Sequence, residues 1–410
     1  MNADARVGAA AAARPRLTRG QAALALALLL GLQPITTDVF LPALPALTHA
    51  LDAKLEQAQL TMSALILAFG IAQLVWGPVA DRIGRRRVLL AGLALYTLAS
   101  IGAVLAGRIE TLVAWRVLQG LTLAAAIVCA RALVRDLYDP LEGARVMSLG
   151  LSGLAVIALV GPALGGLATT LAGWRGALAL VAAAGAATLV WVAVRLPETA
   201  PALNPRATAP ATLLAQWRVI ARDRVFVAWT ALASATYGGL FVILAGSSYV
   251  YIGTLGLTPS TYGLAMASGS AAYLAGTFQC RRWVARHGMG GAVRRAGWFT
   301  LAGGVSMAAL AAAGRQSMWA LLVPQWLYLF GHGVHQPCAQ AGAVGPFPRA
   351  AGAAAALTGF ALAATAFAVG LWLGWALDGT TRTYAFGVGC GALAASGVAW
   401  TLVQRLAPLH

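Results

Sequence analysis

The residues of this chain best placed to do chemistry are ionisable groups set in apolar sequence. Asp38 stands in Thr36-Thr37-Asp38-Val39-Phe40-Leu41-Pro42, within an apolar run from Gln21 to Leu47, and Arg116 stands in a second run, 111–133. An ionisable group in lipid is costly enough to count as a functional candidate. Asp38 falls about nine residues from the end of its run, hence about 14 Å deep at about 1.5 Å per residue, and Arg116 falls at a similar depth. Burial and a neighbouring guanidinium act in opposite senses on a carboxylate's hold on a proton. A balance that changes during a conformational cycle would let Asp38 load and release one. A static ion pair is the competing reading, and spacing alone does not show that the two side chains meet.

A second constellation is Gly77-Pro78-Val79-Ala80-Asp81-Arg82-Ile83-Gly84-Arg85-Arg86-Arg87. A turn with a basic cluster explains the arginines but not Asp81 or the two glycines. Gly77 permits close helix approach and Gly84 a tight reversal. Asp81 at a helix N-terminus would be favoured by the dipole, and such contacts can latch two halves of a protein as a gate. A third is Gly161-Pro162-Ala163-Leu164-Gly165-Gly166, where proline bends a helix and three glycines admit another helix against its backbone. A plain packing kink is the alternative there. Weaker candidates for a substrate pocket are Gln119, Tyr237, Phe241, Tyr249, His332, His335 and Gln336. His332 and His335 share a helical face and can bind a proton, a metal or substrate, although such residues are more often packing partners.

The elements that must carry these groups are membrane helices. Of 410 residues 60% are hydrophobic and 10% charged, far from the roughly 25% charged of a soluble domain. A bilayer core needs about 20 apolar residues per helix. Six spans are predicted at 21–47, 59–79, 88–107, 111–133, 144–171 and 174–194, and six more at 225–250, 259–280, 293–313, 317–341, 350–375 and 381–403. Between them lies 195–224, with Pro197, Pro201, Pro205 and Pro210, too polar to span. The expected architecture is all-α and integral to the membrane, with twelve transmembrane helices in two six-helix bundles, 21–194 and 225–403. Residues 1–20, 195–224 and 404–410 are expected in the cytoplasm. Two halves related by an axis along the membrane normal place a substrate site near mid-membrane between them.

A formal charge of +17 would suit nucleic acid, but its location argues otherwise. If the N-terminus is cytoplasmic, arginines collect on that side, at Arg6, Arg14, Arg16 and Arg19, at Arg82 and Arg85 to Arg87, at Arg131, Arg135 and Arg145, and along 195–224. Lys54, Arg108, Arg175, Arg315 and Arg382 fall outside. This is the positive-inside asymmetry, and it puts both termini in the cytoplasm of a cell inner membrane protein. The basic start followed by apolar residues resembles a secretory signal, but the apolar run continues past Asp38 to Leu47 and reads as the first span. Cys129, Cys280, Cys338 and Cys390 have no C-x-x-C spacing and read as packing residues. No metal site, cofactor or nucleic-acid partner is expected. The expected partners are a small-molecule substrate, protons and the lipid bilayer, with the chain a monomer.

These motifs resemble the major facilitator superfamily, and more narrowly its drug:proton antiporters of the Bcr/CflA type, over nearly the whole chain. Gly77, Asp81, Arg82, Gly84 and Arg85 are in register with the superfamily's cytoplasmic signature. Arg116-Val117-Leu118-Gln119-Gly120 resembles the fourth-helix motif, whose arginine the resemblance implicates in proton coupling. Gly161-Pro162 through Gly165-Gly166 is similar to the antiporter motif of the fifth helix, and Asp38 in Asp-x-x-Leu-Pro-x-Leu-Pro matches the first-helix motif of drug exporters. Arg135-Asp136-Leu137-Tyr138 and Gly253 to Leu257 add Bcr/CflA-like texture. Two departures stand out. Leu30 occupies the place of a second acid found in some relatives, and Pro337-Cys338 replaces a common Pro-Asn pair.

The resemblance implies proton-coupled export of a small organic molecule by alternating access, with no enzymatic activity. Proton-coupled nutrient uptake is the nearest alternative, and accumulation in cells with and without the protein separates the two. A polytopic membrane enzyme would ordinarily need paired acids or metal-spaced ligands, and the twelve acids here are dispersed. One intramembrane aspartate hints at cationic or neutral cargo, and Arg116 weakens that hint.

Overall fold

The computed structural model describes residues 17–200 and 203–406. Arg6, Arg14, Arg16, Pro201 and the last residues of the C-terminal tail lie outside them. Within the described residues the chain is helical from end to end. The helices are α1 (Arg19–Asp38), α2 (Leu44–Ala50), α3 (Leu55–Ile83), α4 (Arg85–Leu105), α5 (Ile109–Leu137), α6 (Pro140–Arg195), α7 (Pro210–Arg222), α8 (Arg224–Ser248), α9 (Pro259–Ala312), α10 (Met318–Val344), α11 (Ala351–Ala376), α12 (Thr381–Trp400) and α13 (Leu402–Leu406).

Two of these helices are hairpins. In α6 the helical dihedrals fail at Ala172 and Gly173, and in α9 at Gly288. Gly173 and Gly288 have φ of 65° and 66°, where a side chain would strain the backbone. Side-chain pairings show the reversal. Gly150, Gly153 and Gly165 meet Leu26, Ala27 and Val39 in turn, so the first arm of α6 runs parallel to α1. Arg175 donates to the Val104 and Ala106 carbonyls while Arg86 donates to those of Ala193 and Leu196, so the second arm runs antiparallel to α4. Eight stretches of the described residues are long and apolar enough to span a membrane, the double-length Arg145–Arg195 among them. The arginine-interrupted hairpin α9 and the His- and Gln-bearing α10 complete twelve passes, counting α1 and α2 as one.

Large apolar side chains are exposed along the outside of the bundle, including Leu105, Leu171 and Trp375. That is the surface a bilayer covers. The predicted connector contains an element that hydropathy did not reveal, the 13-residue helix α7, with Pro210 at its start and only Ile220 buried.

Arg82, Arg85 to Arg87, Arg195 and the α9 turn mark one arginine-rich face of the molecule. On the opposite face the two halves touch. Thr48 and Tyr249 hydroxyls lie 3.1 Å apart, those of Thr170 and Ser260 2.8 Å apart, and Gln59 donates to the Ala245 carbonyl at 2.8 Å. Along α3 and α11 small residues allow close contact, Gly374 against Glu56, Gly370 against Ser63 and Gly359 against Gln73. Such packing suits helices that gain no hydrophobic drive from leaving lipid.

Candidate functional site

The first pass is broken in its middle. α1 ends at Asp38, Val39 and Phe40 form a turn, a short 3₁₀ segment follows from Leu41 to Ala43, and α2 resumes at Leu44. Pro42 and Pro45 each lack a backbone donor, so α1 does not continue through them. Thr36 and Thr37 hydroxyls donate back to the Leu32 and Gln33 carbonyls, at 2.5 Å and 3.1 Å. Arg116 answers the Thr36 carbonyl at 3.1 Å.

Arg116 is fully buried and spends its guanidinium on neutral groups. Nε donates to the Thr61 carbonyl at 3.1 Å, Nη1 to Gln119 Oε1 at 2.6 Å, and the cation lies 4.3 Å from the centre of the Phe40 ring. Gln119 passes the network to Ser100 at 2.6 Å, and Tyr96 joins it through Thr36 at 2.5 Å. The arginine thus ties α5 to both sides of the break in the first pass.

Asp38 and Arg116, the two charges singled out in the sequence, form no ion pair. Both bear on the segment 36–40, Asp38 as one of its residues and Arg116 through the Thr36 carbonyl and the Phe40 ring. Asp38 accepts a hydrogen bond from Thr37 Oγ1 at 2.7 Å and keeps partial exposure. It has no ion-pair partner among the described residues, and Tyr237 and Tyr262 of the other half lie within electrostatic range. The first arm of α6 backs onto it. A Cβ on Gly161 would sit 3.8 Å from Asp38 Cβ, whereas one on Gly165 would collide with the Val39 backbone and one on Gly166 with that of Pro259. Gly165 and Gly166 are therefore the close-approach glycines, and Gly161 is not. Pro162 lies at the contact with Gly263 of the other half.

A cavity of about 490 Å³ opens between the halves on the arginine-rich side of this turn. The first half contributes Gln33, Ile66, Phe69, Gln73 and Arg131, and the second Tyr237, Gln336, Gln340, Thr358 and Leu362. Only Tyr237 and Gln336 of the predicted pocket residues line it. Gln119 is buried under Arg116, and Phe241 packs on Gly370. Tyr249 belongs to the closed face through Thr48. His332 bonds Thr236 at 2.9 Å and His335 bonds the Val293 carbonyl at 3.1 Å, so the histidines brace different helices of the second half. His335 Nδ1 is left buried without a hydrogen-bond partner, and a shared helical face does not reveal which neighbour each ring will meet.

Arg131, counted in the sequence with the cytoplasmic-side arginines, stands inside α5 and reaches the cavity. Its charge faces the space between the halves.

At the arginine-rich face, Asp81 does not cap a helix as expected. It lies at the end of α3 and pairs with Arg85, whose Nε also binds Asp136 at 3.1 Å. The cap is Glu198 of the connector, accepting from the Arg85 and Arg86 backbone N–H groups at 2.9 Å and 3.2 Å. Gly84, with φ 100°, leaves room for that carboxylate. Arg82 donates to Thr208 at 2.8 Å, and Gly77 makes only ordinary contact with Val128. The loop therefore joins the first half to the connector, and in this conformation it does not latch the two halves.

Two bundles closed on one face and open to a cavity on the other, with the first pass broken in its middle, define a multi-pass membrane transporter. The Major Facilitator Superfamily model matches residues 26–370, and the chain belongs to that superfamily of transporters, not to an enzyme family. It is 30% identical to multidrug resistance protein D of Escherichia coli K12 over 82% of this chain and 84% of that one. It is 29% identical to the chloramphenicol resistance protein of Pseudomonas aeruginosa over 78% and 75%. Its match to the uncharacterized transporter YdgK of Bacillus subtilis, at 32% identity, spans 63% of this chain and 66% of that protein. Among solved structures, the D-xylose-proton symporter superposes with a TM-score of 0.74 at 16% identity over 94% of this chain and 98% of that one, a likeness of fold.

Proposed function

We propose that the chain exports small organic molecules, drugs among them, in exchange for protons across a cell inner membrane. The arginine-rich face and both termini lie in the cytoplasm, and the chain works as a monomer by alternating access. The conformation described above is then inward-open.

The observation that carries this reading is Asp38. It sits half-buried at a helix break, held by one hydroxyl and by no cation among the described residues, with Gly161 of α6 behind it and the cavity-lining Tyr237 within electrostatic range. A proton arriving from outside removes its charge, and the turn repacks as cargo leaves. Deprotonation toward the cytoplasm restores the charge and readies the cavity. Arg116 anchors the turn from the other side, so a change at Asp38 is transmitted to α5 through Thr36 and Phe40. Differential stability of the two proton states is what shifts such an equilibrium. Gly165 and Gly166 keep α6 against both halves on the outer side, and Asp81, Arg82, Gly84 and Arg85 hold the cytoplasmic gate to the connector. The relatives named for multidrug and chloramphenicol resistance support the export direction.

The test uses inverted membrane vesicles and radiolabelled chloramphenicol with an imposed pH gradient. Accumulation is expected with the wild-type chain, collapse when the gradient is dissipated, and loss in Asp38→Asn. Accumulation that Asp38→Asn leaves intact would sink the coupling mechanism.

A further inference from the structure

The cavity holds one charged side chain, Arg131, and among its lining residues there is no acid. The arginine is exposed to the cavity and has neither a hydrogen bond nor an ion pair among the described residues. Asp136, one turn further along α5, is taken by Arg85 at 3.1 Å. Four amides, Gln33, Gln73, Gln336 and Gln340, reach the same space from both halves. Gln336 Oε1 is buried without a partner. Ile66, Phe69 and Leu362 supply apolar wall.

A guanidinium with all its donors free, in a confined site beside amide N–H groups, suits a planar anion such as a carboxylate. An organic cation would meet Arg131 with no carboxylate among the lining residues to offset it, and like-charge approach in such a site is penalised. Asp38 lies outside the lining, about 7.5 Å further along α1 than Gln33 at about 1.5 Å per residue, so the proton site and the cargo site are separate groups of residues. We propose that this cavity takes an amphipathic cargo bearing an anionic group, a carboxylate on an apolar scaffold, and that Arg131 binds that group while Gln336 accepts from a donor elsewhere on it. The proposal rests on the transport reading only in taking this cavity as the cargo site.

Fluorescein and rhodamine 6G share a xanthene ring and carry opposite charge at pH 8, which makes them matched probes. Their binding to the purified full-length chain in detergent is read by fluorescence anisotropy. Fluorescein is expected to bind at least about tenfold more tightly than rhodamine 6G. Arg131→Gln should weaken fluorescein at least about tenfold and leave rhodamine 6G unchanged or tighter, with Arg131→Lys in between. Unfolding temperatures of the three proteins are compared, and since Arg131 has no partner to orphan, they should agree. A preference for rhodamine 6G, a fluorescein affinity indifferent to Arg131→Gln, or no fluorescein binding by the folded wild-type chain would each overturn the proposal. Because binding is read at equilibrium without a gradient, its failure leaves proton-driven export to the vesicle assay. Loss of the Asp38→Asn effect there would leave the charge preference standing.

Discussion

Adding one methyl group at Gly166 should tip the whole transporter toward the state open on the face opposite the arginines. A Cβ there would overlap the Pro259 carbonyl oxygen and lie 3.0 Å from its carbon and 3.1 Å from Ser260 Cα. All three are backbone atoms, so no rotamer change relieves them and the two helices must part. Overpacking of this kind costs about 1–3 kcal/mol. The cost falls only on the conformation that brings α6 and α9 together, so the equilibrium should move by a factor of about 5 to about 150. The reporter is a cysteine pair at Thr170 and Ser260, whose hydroxyls are 2.8 Å apart, in a chain whose exposed Cys390 is replaced by serine. Oxidative cross-linking between the two should fall by at least about fivefold when Gly166→Ala is added. Gly161→Ala, with nothing nearer than 3.8 Å, should leave the yield unchanged. Gly165→Ala strains a contact inside the first half and should lower the unfolding temperature more than the yield. An unaltered yield in Gly166→Ala, with unfolding temperature preserved, would refute the claim that this contact holds the face closed.

Removing a smaller cross-half contact should act in the same direction with less force. Tyr249→Phe deletes the bond to Thr48, worth about 0.5–1.5 kcal/mol, and the same cross-link should drop about two- to tenfold. Arg116→Met leaves the Thr36 and Thr61 carbonyls and Gln119 Oε1 unanswered. At about 0.6–1.7 kcal/mol per polar contact in a membrane protein, it should lower stability by roughly 2–5 kcal/mol. A thiol-reactive dye reporting exposure of buried Cys129, Cys280 and Cys338 on heating measures that loss. Glu198→Gln weakens the carboxylate cap on α4 and should cost about 0.5–2 kcal/mol, seen as faster hydrogen exchange at the Arg85 and Arg86 amides.

How much of this was legible in the sequence depended on what kind of force placed each residue. Apolar run length locates most passes, because lipid imposes it directly, while the arginine-interrupted α9 and the polar-bearing α10 fall short of it, and the proline-rich connector lies between the two sets. Helix faces were another matter. A membrane helix is apolar on the lipid side and in the bundle alike, so its 3.6-residue period carries little signal. Phe241, Tyr249 and the two histidines looked like pocket residues for that reason, and each proved to be engaged elsewhere. Arg131 drew notice in the sequence only as one of the cytoplasmic-side arginines, because span length does not show that its side chain faces a cavity between the halves. The role imagined for Asp81 went to Glu198, more than a hundred residues away, since only the fold brings that carboxylate to the start of α4. One signal was present and went unread. Pro259-x-x-x-Gly263 repeats the spacing of Pro162-x-x-x-Gly166, and the two segments are each other's contact.

That reciprocal contact, Gly166 on the backbone of Pro259 and Gly263 on the backbone of Pro162, bears on how reliably the transporter can cycle. A self-complementary contact of this kind places equivalent surfaces face to face, as a two-fold interface does, although here both come from one chain. At these two glycines backbone meets backbone, with no rotamer to search. On the proposed alternating-access cycle, parting these two points costs backbone packing and orphans no charge, so the contact is one that can open and re-form without a partner being left unpaired.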